Sequence, residues 1–147
     1  MILLDTNVVS ALMRSQPERS VIGWLDQQIP EQIWLTSVVV FEVRYGLALL
    51  EPGARQTGLE KGFERMLSEL IQERIAPLNA LAAEQAALLA ATRKRAGTSV
   101  DLRDTLIGGI AMATGATIAT RNLKHFQDLP IPVLNPFSST RPSAEDA

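Results

Sequence analysis

The sequence contains no cysteine, which excludes disulfide bridges and thiolate metal sites and fits a reducing compartment. It also lacks a membrane span. The uncharged stretch 106–119 is interrupted by Gly108, Gly109 and Gly115 and falls short of the roughly 20 apolar residues a spanning helix needs. Asp5 breaks the N-terminal apolar run before it reaches signal-peptide length, so a cytoplasmic protein is expected. There is no excess of positive charge: the formal net charge of −2 offers no bulk attraction for a polyanion. A nucleic-acid substrate would depend on a local cluster of Lys and Arg. One such cluster exists, Arg93, Lys94 and Arg95 with Arg103 beyond it. Its simplest reading is a solvated helix end favoured by the helix dipole. No internal repeat or low-complexity linker divides the chain. At 147 residues, 46% hydrophobic and 20% charged, it reads as one domain with a core of its own.

What is present is an alternation of short apolar runs and helical patterns. Residues 2–4 predict a strand and 8–14 a helix; Pro17 and Glu18 open a second helix to about residue 28. A second strand over 33–36 leads into a helix over 38–51, which Pro52 and Gly53 end. Two longer helices, 54–73 and 81–96, flank a strand at 74–78. Then come a helix over 102–114, a strand over 117–120, a short helix over 123–128 and a last strand at 133–134. Short apolar strands alternating with helices predict an α/β fold, its short and mainly parallel sheet covered on both faces. The domain is expected to span 1–137, with 138–147 a flexible tail. In such sheets ligands sit beyond the carboxyl ends of the strands.

Asp5 stands at one of those ends, in MILLDTNVVS. Asp, Thr and Asn all cap helices well, so Asp5 reads equally as an N-cap or as a site residue. Glu42, in SVVVFEVRYGLALL, lies in a helix apolar almost all round, with Val38, Val39, Tyr45 and Gly46 at helical spacing. A charge enclosed in that way needs a partner or a cation, which puts a functional role ahead of a solvated edge beside Arg44. In SVDLRDTLIGGIAMA, Asp101 has the position of a cap, while Asp104 shares a face with Ile107, Gly108 and Ala111. The two glycines weaken that helix by roughly 1 kcal/mol each, and close approach of another helix is the expected return. In IATRN, Asn122 follows Thr120 as Asn7 follows Asp5 and Thr6: both strands end in a turn of short polar side chains. Three carboxylates and a neutral oxygen, with no sulfur or imidazole among them, form a hard-oxygen set suited to Mg²⁺ or Mn²⁺. Such sites hydrolyse phosphodiesters.

These motifs together, with GATIATRNLKHF and PVLNPF, resemble the PIN domain, and within it the VapC/FitB-like toxins of bacterial toxin–antitoxin modules. The resemblance covers nearly the whole chain and implies a three-layer α/β/α domain and a metal-dependent endoribonuclease inhibited by a small antitoxin protein. It implies Asp5, Glu42 and Asp104 as catalytic acids holding Mg²⁺ or Mn²⁺, with Asn122 in a fourth place where many members carry Asp. Thr6 and Thr120 would support the acids by hydrogen bonds. Asn122 carries no charge, so one-metal and two-metal catalysis both stay open. The resemblance further implies water attacking phosphorus in line, with a 5′-phosphate and a 3′-hydroxyl as products. It implies a homodimer too, with 18–28 and 38–50 as candidate interface helices, and a larger complex with the antitoxin on operator DNA. His125, the lone histidine, reads as a surface residue outside the catalytic set.

Two rivals remain. An aspartyl phosphotransferase or phosphatase of the haloacid dehalogenase type would need an acid where Asn7 stands, and a receiver domain would need an N-terminal acidic pair. The other is a catalytically silent PIN-fold binding module, against which the intact acids count.

Overall fold

The computed structural model describes residues 1–138. Five strands form one sheet: β1 (Ile2–Leu4), β2 (Ile33–Thr36), β3 (Ile75–Ala76), β4 (Thr117–Ala119) and β5 (Val133–Leu134), in the order β3-β2-β1-β4-β5. Every pairing is parallel, with Ile2 in register with both Ile33 and Thr117. Six α-helices alternate with them: α1 (Thr6–Met13), α2 (Arg19–Asp26), α3 (Ser37–Leu49), α4 (Ala54–Arg65), α5 (Ala80–Arg95) and α6 (Leu102–Thr114). Leu3 and Leu4 point to opposite faces of the sheet and both are buried, as are Ile118 and Ala119, so helices cover it on both sides. None of the helices among the described residues is long and apolar enough to cross a membrane.

The topology fixes where a site can form. From β1 the chain moves outward to β2 and β3, then returns to place β4 on the other side of β1. The crevice beyond the carboxyl ends of β1 and β4 is therefore the point at which strand order reverses, where open α/β sheets bind ligands. Asp5 and Thr120 stand on either side of it. The Asp5 amide donates to Ala119 O (2.9 Å) and the Thr120 amide to Leu134 O (2.9 Å), so the ladders hold both residues.

Several expectations shift. The helix expected over 54–73 is α4 followed by a π-helical turn, Met66–Ile71, which ends with Gln72 and Glu73 both at positive φ (48° and 67°). Arg74 anchors that turn, donating to Ile33 O (3.0 Å) and Pro30 O (2.8 Å). The short helix expected over 123–128 is one 3-10 turn, Leu123–His125. Helix α3 is not enclosed all round: Val39, Val43 and Leu47 are buried, but Phe41, Tyr45 and Leu49 are 59, 51 and 68% exposed. The tail expected from residue 138 lies, from 139 onward, outside the described residues.

Asp101 caps α6 as expected, accepting from the Asp104 amide (3.0 Å). The two glycines of α6 do sit at a close helix approach. A Cβ on Gly109 would lie 2.5 Å from Ala82 O and 2.6 Å from the Ala86 Cβ, both on α5. Backbone cannot move aside as a flexible side chain can. Gly109→Ala is expected to destabilise the protein by about 1–3 kcal/mol through overpacking. Gly58→Ala, in exposed α4 with nothing within 4 Å of the new Cβ, is expected to stabilise by about 0.5–1 kcal/mol through helix propensity. Urea unfolding of the two variants checks the opposite signs.

Candidate active site

Asp5 caps α1, and its two oxygens do different work. Oδ1 accepts from the Thr6 amide at the start of α1 (2.8 Å). Oδ2 accepts from Thr120 Oγ1 (2.7 Å) and Asn7 Nδ2 (3.2 Å). Asp5 is 5% exposed, and a carboxylate so deeply placed needs these donors in place of the water it has lost. Asn7 closes the network: its Oδ1 accepts from the Arg121 amide (3.0 Å), while Thr120 Oγ1 accepts from the Asn122 amide (3.0 Å). The two similar turns are thus hydrogen-bonded to each other. Asn7 was not among the site residues named from the sequence; its place two residues after Asp5 was the signal.

Glu42 of α3 and Asp104 of α6 both lie close enough to Asp5 to feel its charge. Burial, then the Asp5 charge, raises the proton affinity of Glu42, and the Asp104 charge adds to it; Arg103, with Nη1 3.8 Å from Oε2, works the other way. Burial, then Asp101 and Asp5, raises that of Asp104 against the lowering effect of His125. Arg44, the partner considered for Glu42, instead pairs with Glu64 (2.7 Å) and lies over the Phe63 ring. The three acids therefore share one field. Among the described residues, however, no group of three or more His, Asp or Glu side chains converges as a metal shell. Donors meet both oxygens of Asp5, and Asp104 Oδ2 is turned to His125 Nδ1 at 2.7 Å. The Thr6 hydroxyl is buried and meets no hydrogen-bond partner among the described residues.

His125 is thus not a bystander. It is half-exposed, but one ring nitrogen is committed to a candidate catalytic acid. Asn122, by contrast, contributes its backbone to the network and leaves its side chain exposed. The basic cluster also divides. Lys94 and Arg95 are exposed, but Arg93 is 5% exposed and bonded inside the protein, so it is no solvated helix end.

The model of the PIN domain matches residues 2–131. The chain belongs to the PIN-domain family. It is 36% identical to the plasmid stability protein StbB of Pseudomonas syringae pv. tomato, covering 95% of this chain and 100% of that one. It is 34% identical to the VapC ribonuclease Y4jK of Sinorhizobium fredii (93% and 98%) and 35% identical to the toxin FitB of Neisseria gonorrhoeae (93% and 99%). The solved structure of FitAB bound to a DNA fragment superposes with a TM-score of 0.83 at 35% identity, covering 94% of this chain and 96% of that one. This PIN domain carries its acids on the elements just described.

Glu42 and Asp104 hold protons more tightly folded than unfolded, so between the ordinary carboxylate range and their raised values the native state binds more protons. Their contribution to stability therefore falls as pH rises through that window. Asp128, held below the ordinary range by Arg93, acts oppositely and at lower pH: its contribution is lost as pH falls through its depressed value. In chelator, Glu42→Gln is expected to flatten the decline through that window and to be more stable than wild type at pH 8. Urea midpoints across the pH range test this; a slope unchanged by the substitution contradicts it.

Proposed function

We propose that this PIN domain is the toxin of a toxin–antitoxin pair, a divalent-metal-dependent endoribonuclease acting in the cytoplasm on RNA phosphodiesters. The observation that carries this reading is that β1, α3 and α6 bring Asp5, Glu42 and Asp104 into one electrostatic cluster at the strand-order reversal. Its likeness to a VapC ribonuclease and to a toxin supports the activity class.

The donor set fits Mg²⁺ or Mn²⁺: it is all oxygen, burial and then the neighbouring carboxylates raise two proton affinities that a cation would lower, and the Thr6 hydroxyl stands unpaired beside it. Asp5, Glu42 and Asp104 would hold the ion, Asp104 exchanging its histidine contact for it. A bound divalent ion supplies Lewis acidity, lowering the pKa of a water and offsetting charge on the phosphoryl oxygens. Thr120 and Asn7 fix the Asp5 carboxylate in one orientation. Asn122, whose side chain is exposed at the edge of the turn, would supply a neutral oxygen in the fourth place. Hydrolysis forms a bond from water oxygen to phosphorus and breaks the bond to O3′, which leaves as a hydroxyl. An aspartyl phosphotransferase of the haloacid dehalogenase type is disfavoured because Asn7 stands where it needs a second acid.

The antitoxin reading rests on the FitAB complex and on a groove of this chain. The groove opens from Thr6 and Glu42 between α1, α2, α3 and α4. Its aliphatic lining includes Leu25, Leu47, Leu59 and Leu70, and Arg14, Arg55, Lys61 and Arg65 stand along it. An amphipathic helix with acids beside its apolar face fits such a surface. In the cell the pair would act on operator DNA as well. The homodimer reading rests on the exposed Phe41, Tyr45 and Leu49 stripe of α3, where Phe41 and Tyr45 stack at 5.9 Å.

Purified antitoxin-free protein is expected to cut RNA to 5′-phosphate ends with Mg²⁺ or Mn²⁺ and to be silent in chelator. Asp5→Asn, Glu42→Gln and Asp104→Asn are each expected to lose more than the ~10–100-fold that outer-shell changes cost. Folded, metal-loaded protein that cuts no RNA would favour a silent binding module. Leu49→Asp is expected to weaken self-association by at least ~10-fold in sedimentation, the equivalent of ~1.4 kcal/mol; an unchanged dimer would move the interface off α3.

A further inference from the structure

Arg93 lies in the last turn of α5 beside two exposed cations, yet its guanidinium makes four hydrogen bonds inside the protein. Nε donates to Asp128 Oδ2 (2.8 Å) and Nη2 to Asp128 Oδ1 (2.8 Å), a two-point grip on one carboxylate. Nη2 also donates to His125 O (2.6 Å), and Nη1 to Thr105 Oγ1 (3.2 Å). Thr105 follows Asp104 directly, and its hydroxyl donates to Asp101 O (2.7 Å), the residue that caps the same turn. His125 is the residue whose ring meets Asp104. One buried cation therefore binds both segments that set the position of Asp104: the first turn of α6 and the 123–128 loop.

We propose that Arg93 is a positioning residue of the active site, holding the 123–128 loop against the start of α6 so that Asp104 faces Asp5 and Glu42. This role rests on the metal-dependent reading above and deepens it. Arginine is required by the geometry. A planar fork can serve a carboxylate, a carbonyl and a hydroxyl in one plane, whereas the ammonium of lysine is a point charge on a flexible stem. The same burial excludes the usual role of an arginine in a nuclease. At 5% exposure, with four donors' worth of bonds made internally, Arg93 is not available to an RNA phosphate. Its neighbours Lys94 and Arg95 are exposed and make no such contacts among the described residues.

The two roles separate experimentally. A phosphate-binding arginine contributes to RNA affinity and its salt dependence; a positioning arginine contributes to metal affinity and turnover. The test compares wild type with Arg93→Lys, which keeps the charge and loses the fork. Asp128→Asn, which removes the half-exposed partner and leaves Arg93 in place, covers the case in which Arg93→Lys does not fold. Arg95→Gln serves as the surface control. Mn²⁺ binding without RNA is read by electron paramagnetic resonance, and amide hydrogen exchange is read by segment. Arg93→Lys and Asp128→Asn are expected to bind Mn²⁺ ~10–100-fold more weakly and to cut RNA with a lower kcat. The KM for RNA and its salt slope should be near wild type. Exchange should quicken in 101–105 and 123–129 while β1 and β4 stay protected, and Arg95→Gln should match wild type.

If the folded variants bind Mn²⁺ as wild type does, Arg93 has no positioning role and the metal reading stands. Exchange that quickens throughout the chain also overturns the proposal, since Arg93 would then support the whole fold. Wild type that binds no Mn²⁺ overturns the metal reading, and the positioning role with it.

Discussion

The buried carboxylate of Asp5 is the contact on which the rest of this structure depends. It lies where β1 ends beside β4, and its desolvation is tolerated because Thr6, Asn7 and Thr120 all donate to it. Those donors come from both turns that leave the sheet, so satisfying one charge also joins two segments more than a hundred residues apart. The sheet register and the site geometry are therefore one constraint: slip β4 by one residue and Thr120 no longer reaches Asp5.

Around that fixed charge the other two acids are held in an unfavourable field. Glu42 and Asp104 are partly buried, near Asp5 and near each other, and each is only weakly compensated by a cation or imidazole at the rim. A fold selected for stability alone would not bring three carboxylates together without a counter-charge. The metal-free cluster is thus under electrostatic tension that a divalent ion would relieve, which is why the same three residues read as a functional site and as a cost to folding.

The second helical group places the third acid. Helix α6 carries Asp104 at its start and lies on α5 through Gly109 at near-backbone contact. Arg93 then ties the end of α5 back to α6 and to the loop that carries His125. Close helix packing sets the distance between the helices, and the buried guanidinium sets the orientation of the turn. Asp104 is therefore positioned by residues that do not touch it as well as by Asp101 and His125, which do.

Much of this was legible in the chain itself because it depends on neighbours in sequence. The alternation of apolar runs predicted all five strands and the parallel sheet, Asp101 was readable as a cap, and the paired glycines as a helix contact. The acids Asp5, Glu42 and Asp104 stood out because each combines a charge with apolar surroundings. What sequence spacing could not reveal depended on the third dimension. Arg93 looked like one of three similar cations, and only packing decides which of them turns inward. His125 looked exposed, because nothing local says that its ring meets a carboxylate on another helix. Helix α3 looked apolar all round, and only its neighbours decide that Val43 is buried while Phe41 faces out. Local patterns determine which elements form and which residues are chemically unusual. Tertiary structure decides which of those residues meet, because burial and partner choice are set by elements distant in sequence.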